Sequence, residues 1–226
     1  MSTIINATTT TGVVIQPDNS GSLVLQTNNG TTALTIDTSQ NATFAGTVKI
    51  GTTPVSMVLI GTATASNSAT VDFTSISNST YSAYKIFADN IVCQTNGTIL
   101  GMRISVGSSF QTGSVYGHRQ WRWVTGGSAA SGSNGDTQMN ICSGGDTMSN
   151  NSSYGNSFEL TAYNQAQTTT YKRYTWSFTG LCSDQITVSG GGYYLSTSNA
   201  VDGFRFLMSS GNIVSGTFSL YGIRNS

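Results

Sequence analysis

The only histidine of the chain, His118, lies in Tyr116-Gly117-His118-Arg119-Gln120-Trp121-Arg122-Trp123, so any Ser-His-Asp or Cys-His relay would have to run through it. No G-x-S-x-G nucleophile elbow accompanies it. On an alternating strand His118 would share a face with Gln120 and Arg122, with Arg119, Trp121 and Trp123 on the other, and a histidine so placed reads as an ordinary surface or core residue. Glycoside cleavage would need two carboxylates flanking the bond. Glu159 is the only glutamate, and the aspartates are scattered singly. No catalytic residue is assigned on these grounds, and the chain is read as a non-enzyme.

Metal chemistry has as little support. Asn134-Gly135-Asp136 and Gly144-Gly145-Asp146 offer isolated oxygen ligands that turn chemistry explains, not a dense acidic loop. Cys93, Cys142 and Cys182 have no metal-ligand spacing, and their odd number cannot close into a full set of intrachain disulfides. They read as reduced, buried small hydrophobes. No cofactor and no metal are expected.

The remaining chemistry lies in aromatic and basic residues set close together: Arg119, Trp121, Arg122 and Trp123 in one segment, Tyr171 and Arg173 in another. Such residues can build a sugar-stacking or cation–π surface, and these six are the candidate ligand-binding residues. The competing reading is a set of core aromatics with arginines facing solvent. Nucleic acid is not an expected partner, because nine basic residues are matched by nine acidic ones and only 8% of the chain is charged.

The elements that must carry these residues are strands. Hydrophobic residues make up 37% of the chain and aromatics 10%, mostly in short runs, while Gly, Asn, Asp and Ser supply turns. No stretch reads as an amphipathic helix. Met1-Ser2-Thr3-Ile4-Ile5 lacks the basic region and apolar run of a secretory signal, and no segment approaches membrane-spanning length. The chain is therefore expected to stay in the cytosol where it is made, without membrane insertion.

From Val55 onward, strand-like runs follow one another to Ile223. Alternation is plain in Leu100/Met102/Ile104/Val106 against Gly101/Arg103/Ser105, and in Tyr174/Trp176/Phe178 against Arg173/Thr175/Ser177. Many antiparallel runs of this length fit a two-sheet sandwich of jelly-roll type. Polar stretches at Thr125 to Asp136, Ser143 to Asn156 and Gly190 to Asn199 read as loops, displayed or disordered.

The first part of the chain is different. Apolar pairs Val13/Ile15, Leu23/Leu25, Leu34/Ile36 and Phe44/Val48 recur every ten or eleven residues, separated by Asp18-Asn19-Ser20-Gly21, Asn28-Asn29-Gly30 and Ser39-Gln40-Asn41. Each strand offers two apolar side chains to one face. Four such strands cannot enclose a core against an ordering cost of ~1–2 kcal/mol per residue, so another copy of the chain must cover that face. A flexible linker, the alternative, would not hold a period-two apolar pattern within a ten-residue repeat.

The stretch Thr32 to Val48, TALTIDTSQNATFAGTV, resembles the repeats of phage tail-fibre and related virion proteins. A weaker likeness joins the closing strand, Asn212 to Ile223, to the C-terminal sandwich heads of phage virion proteins. The resemblance implies an all-β chain. Residues 1–51 would form short β repeats of an intertwined trimeric shaft, and residues 52–226 a jelly-roll-like antiparallel β-sandwich head, with the change of pattern near Pro54. It implies a homotrimer on the virion surface, its eight repeat residues named above in the trimer interface, attached to other tail or capsid proteins through the N-terminal segment. Host-surface glycan or protein would be the head's target. Capsid decoration by a cement protein is the second reading implied, and a polysaccharide-cleaving tailspike the third. Tail fibres of this type often end in a self-cleaving chaperone, which Ile223-Arg224-Asn225-Ser226 does not resemble.

Overall fold

A computed structural model describes residues 21–27, 30–46, 49–50, 53–54, 57–76, 80–124, 126–142, 147–181, 185–196 and 199–224. Every regular element among them is a strand, and all paired strands are antiparallel. The chain divides into two compact units, Met1–Val55 and Ser56–Ser226, against an expected division after Gly51.

In the first unit, β1 (Leu23–Thr27), β2 (Thr31–Ile36) and β3 (Ala42–Phe44) form a meander in sequence order, and β4 (Lys49–Ile50) pairs with β5 (Thr53–Pro54). The two meander turns use left-handed backbone, at Gly30 (φ 96°) and Gln40 (φ 67°). The second is held by Asp37, whose Oδ1 accepts from the amides of Ser39 and Asn41, both at 2.9 Å. Those hydrogen bonds, the Asn41 amide first, hold its carboxyl below the usual carboxylate range.

Cross-strand register then decides what the meander displays. Leu25 lies opposite Leu34 and Leu34 opposite Phe44; Leu23 lies opposite Ile36 and Ile36 opposite Ala42. Directly opposed residues share a face, so six apolar side chains stand together. Within the single chain that face is open: Leu25 is 40% and Phe44 52% exposed. Val13, Ile15 and Val48, expected on the same face, lie outside the described residues.

The second unit is built from β6 (Met57–Ser68), β7 (Thr70–Thr74), β8 (Ala83–Cys93), β9 (Leu100–Val106), β10 (Ser109–Phe110), β11 (Tyr116–Val124), β12 (Gly127–Asp136), β13 (Met139–Asn140), β14 (Asn156–Tyr163), β15 (Lys172–Leu181), β16 (Gln185–Tyr194), β17 (Gly203–Met208) and β18 (Ile213–Ile223). Eight strands form one sheet in the order β12-β11-β16-β15-β14-β8-β18-β6, and a smaller sheet runs β10-β9-β17-β7 with β13 also on β9. The sheets stack through interlocking rings: Tyr84 of β8 meets Phe204 of β17, and Phe158 of β14 and Phe218 of β18 both meet Phe206 of β17. Tyr116 adds a polar tie. Its hydroxyl, fully buried at the start of β11, accepts from the Ile104 amide of the smaller sheet at 3.1 Å and donates to the Gln111 carbonyl at 3.0 Å.

Two stretches expected as loops are strand instead. Gly127–Asp136 is the whole of β12, and Gly190–Tyr194 is the second half of β16. Gly, Ser and Asn have weak strand preference, but the neighbouring strand supplies a ladder that overrides it. The close packing also requires small residues. A Cβ at Gly192 would come 2.3 Å from Met139 Sδ, one at Gly190 2.8 Å from the Trp176 ring, and one at Gly132 2.5 Å from Arg119 Cδ. In the third stretch, residues 143–146 lie outside the described residues, while Met148 bridges to Thr98.

Candidate functional site

On the outward face of the larger sheet, cross-strand register lays out a pattern of rows. One row reads Tyr163 (β14), Arg173 (β15), Tyr193 (β16), Gly117 (β11), Asn134 (β12). The next reads Thr161, Thr175, Gly191, Arg119, Gly132, and the one after it Glu159, Ser177, Ser189, Trp121, Ala130. Gly191 leaves a gap in its row between Thr175 and Arg119. Over that gap opens a hollow of about 560 Å³, walled by Arg119, Tyr171, Arg173, Thr175 and Tyr193. The size is that of an ordinary small-ligand site.

Each wall is held in place. Gly117 has no side chain, so the hydroxyl end of the Tyr193 ring lies over it, and the hydroxyl donates to Asn134 Oδ1 at 2.6 Å. Gly132 does the same for Arg119, whose Nη1 donates to the His118 carbonyl at 2.9 Å. Tyr171 stands on the turn between β14 and β15, which is pinned from beneath. The ammonium of Lys172, with no exposed surface, donates to the carbonyls of Gln167 and Thr170. Burial pushes the pKa of that ammonium down. Gln165 Oε1 accepts from the Tyr174 hydroxyl at 3.0 Å, and the Gln165 amide donates to the Tyr163 carbonyl at 2.6 Å.

The chemistry of the hollow is uneven. Arg119, Arg173 and three tyrosines line it, largely with apolar surface, and no carboxylate does. Glu159, farther along the same face, is paired with Lys85 at 3.1 Å. Beyond the hollow, Ser177 and Ser189 form a low shelf beside Trp121, and Trp123 stands two positions on along β11. Trp121 is 45% and Trp123 48% exposed. Rings so exposed are not core aromatics.

Of the six expected ligand-binding residues, the fold therefore gathers Arg119, Tyr171 and Arg173 into one hollow and sets Trp121 and Trp123 beside it. Arg122 is placed elsewhere, half-buried on the inward face with His118 and Gln120. His118 is 2% exposed, with Nδ1 3.3 Å from Asp136 Oδ2, and Ser133 donates to the other oxygen of that carboxylate at 3.0 Å. Burial pulls the His118 pKa below the ordinary range, and the Asp136 charge opposes this in part. His118 lies on the sheet face opposite the hollow, so it does not serve it.

Sequence reasoning missed Tyr193, Gly191 and Thr175. The signal was the run Gly190-Gly191-Gly192-Tyr193-Tyr194, a glycine triplet ending in tyrosines, which reads as a loop until it is seen inside a strand. Among the described residues no group of three or more His, Cys, Asp and Glu converges as a metal site. Cys93 and Cys142 are buried and outside any disulfide, and Cys182 lies outside the described residues. Comparisons with family models, with curated proteins and with solved structures each give no match to this chain.

Proposed function

We propose that the chain is a non-enzymatic phage virion protein, a homotrimeric tail fibre or adhesin whose jelly-roll-like sandwich head binds the host surface. The observation that carries the binding role is the open hollow of Arg119, Tyr171, Arg173 and Tyr193 flanked by Trp121 and Trp123. A capsid cement protein would need only an extended footprint, and such a hollow favours the receptor binder over it. Absence of a carboxylate from the lining favours binding over glycoside cleavage. Successive strands β6, β7, β8 and β9, and again β17 and β18, alternate between the two sheets, which supports the jelly-roll-like arrangement.

The apolar face of the β1-β2-β3 meander supports assembly, because Leu25 and Phe44 would be covered by the same face of other copies. Three heads on one shaft convert weak single contacts into avidity of ~100-fold or more. The test is adsorption to bacterial cells. The full chain should outbind a chain beginning at Thr52 by that factor on a cell type both recognise; equal adsorption, or adsorption of neither to any cell, would refute the reading.

A further inference from the structure

We infer that the free edge of the larger sheet, at the start of β6, is where each head meets its counterparts in the trimer, with Met57, Leu59 and Ile60 of the three copies packed together about the common axis. This goes beyond the host-binding reading and rests on the homotrimer proposed with it.

β6 is the outermost strand of its sheet. Among the described residues it pairs with β18 alone, so the amides and carbonyls of its other edge have no strand beside them. Natural edges of this length are commonly guarded by charges or prolines. Residues 57–68 contain neither, and the first charge after Met57 is Asp72. Apolar surface is concentrated at the start of the strand: Met57 is 46%, Leu59 52% and Ile60 38% exposed, Ile60 being the extra residue of a bulge between Leu59 and Gly61. Tyr221 of β18, opposite Leu59, extends the patch across the outward face, and its ring meets that of Phe87 on β8 at 5.7 Å. The other outermost strand of the sheet, β12, has no apolar side chain larger than alanine to cover.

Chain continuity selects a second copy as the occupant. Three residues separate Pro54 of β5 from Met57 of β6, at most about 10 Å of extended backbone. Copies joined through their first units therefore bring their β6 starts together at an effective concentration that lets a small apolar contact form. A rotation axis sets each residue near it against its own counterpart, and identical uncharged strands meet there without like-charge repulsion.

The test puts Leu59→Lys and, separately, Leu59→Cys into the full chain. Ammonium groups brought together at the axis should raise the concentration at which the trimer dissociates at least ~10-fold, with the β-rich circular dichroism spectrum unchanged. Oxidised Leu59→Cys should run as a covalent dimer on a denaturing gel, up to about two thirds of the chain, because the third cysteine of each trimer is left over. Ala130→Cys, exposed on β12 at the far edge of the sheet, should stay at the level of the oxidised parent. A trimer unaffected by Leu59→Lys and not crosslinked through Leu59→Cys would overturn this inference and leave the homotrimer in place. Equal crosslinking through Ala130→Cys would mark random collision and overturn it as well. A full chain that is monomeric at every concentration would remove both.

Discussion

Replacing Tyr116 by Phe removes one oxygen atom and nothing else from the core. Two partners lose it. The Ile104 amide, on a strand in the middle of the smaller sheet, loses an acceptor 3.1 Å away in surroundings that are fully buried. The Gln111 carbonyl loses a donor at 3.0 Å but is partly exposed and can turn to water. An orphaned buried donor costs about 1–3 kcal/mol, and a replaceable bond adds little, so the expected loss is about 2 kcal/mol. For a domain of this size that is a fall of about 4–8 °C in Tm. A second signature separates the hydroxyl from mere packing. Burial pushes the Tyr116 phenol up to about 12, so the folded state binds its proton more tightly than the unfolded chain does. The stabilisation is complete below the ordinary tyrosine value of about 10 and drains away as pH rises from there, at about 1.4 kcal/mol per pH unit. Urea unfolding followed by tryptophan fluorescence at pH 7 and from about pH 10 to about pH 11.5 reads both effects. The Tyr116→Phe variant should be weaker at pH 7 and show a shallower alkaline decline. A variant as stable as the parent at pH 7, or one with an unchanged alkaline slope, would refute the claim that this hydroxyl ties β11 to the smaller sheet.

Neighbouring glycines should respond in opposite ways. Gly192→Ala drives a Cβ into Met139 and should cost about 1–3 kcal/mol in urea unfolding, whereas a Cβ at Gly191 meets only the Tyr174 carbonyl, at 3.2 Å. Gly191→Leu should leave stability within about 1 kcal/mol while filling the floor of the hollow, and cell adsorption should fall about 10-fold. His118, its pKa lowered in the fold, should make the chain lose stability as pH falls below the ordinary histidine range, by up to about 1.4 kcal/mol per pH unit. His118→Gln should flatten the pH 7 to 5 portion of the stability profile. Asp72→Asn breaks the two-pronged pair with Arg205, at 2.8 and 2.6 Å, which stacks on Phe110; a loss of about 1 kcal/mol in thermal unfolding is expected.

Sequence alternation was a sound guide wherever side chains differ strongly between faces. Tyr174, Trp176 and Phe178 are buried, and Arg173 and Thr175 are exposed, as their spacing required. It failed where both faces are small. In β12 and in Gly190–Tyr194 the Arg119 side chain lies over Gly132, the Trp176 ring over Gly190 and Met139 over Gly192, and no one-dimensional pattern records a neighbour. The two tryptophans were ambiguous for a related reason. Their period placed Trp121 and Trp123 with Arg119, but whether that face turned to the core or to solvent depended on which side the smaller sheet stacks. Arg119 and Arg173 lie far apart in sequence and come to line one hollow only because β16 returns between β11 and β15. The meander strands could be read from apolar pairs and turn residues, while the threefold number of copies proposed to cover them comes only from the resemblance.

Solution mass by light scattering, on the full chain and on a chain beginning at Thr52, tests the central claim most directly. The expected mass is three times 23.7 kDa for the full chain, with a smaller, still β-rich particle for the shortened one. A full chain that runs as a monomer would contradict the trimer, leaving Leu25 and Phe44 open to water and the N-terminal repeats without an assembly role.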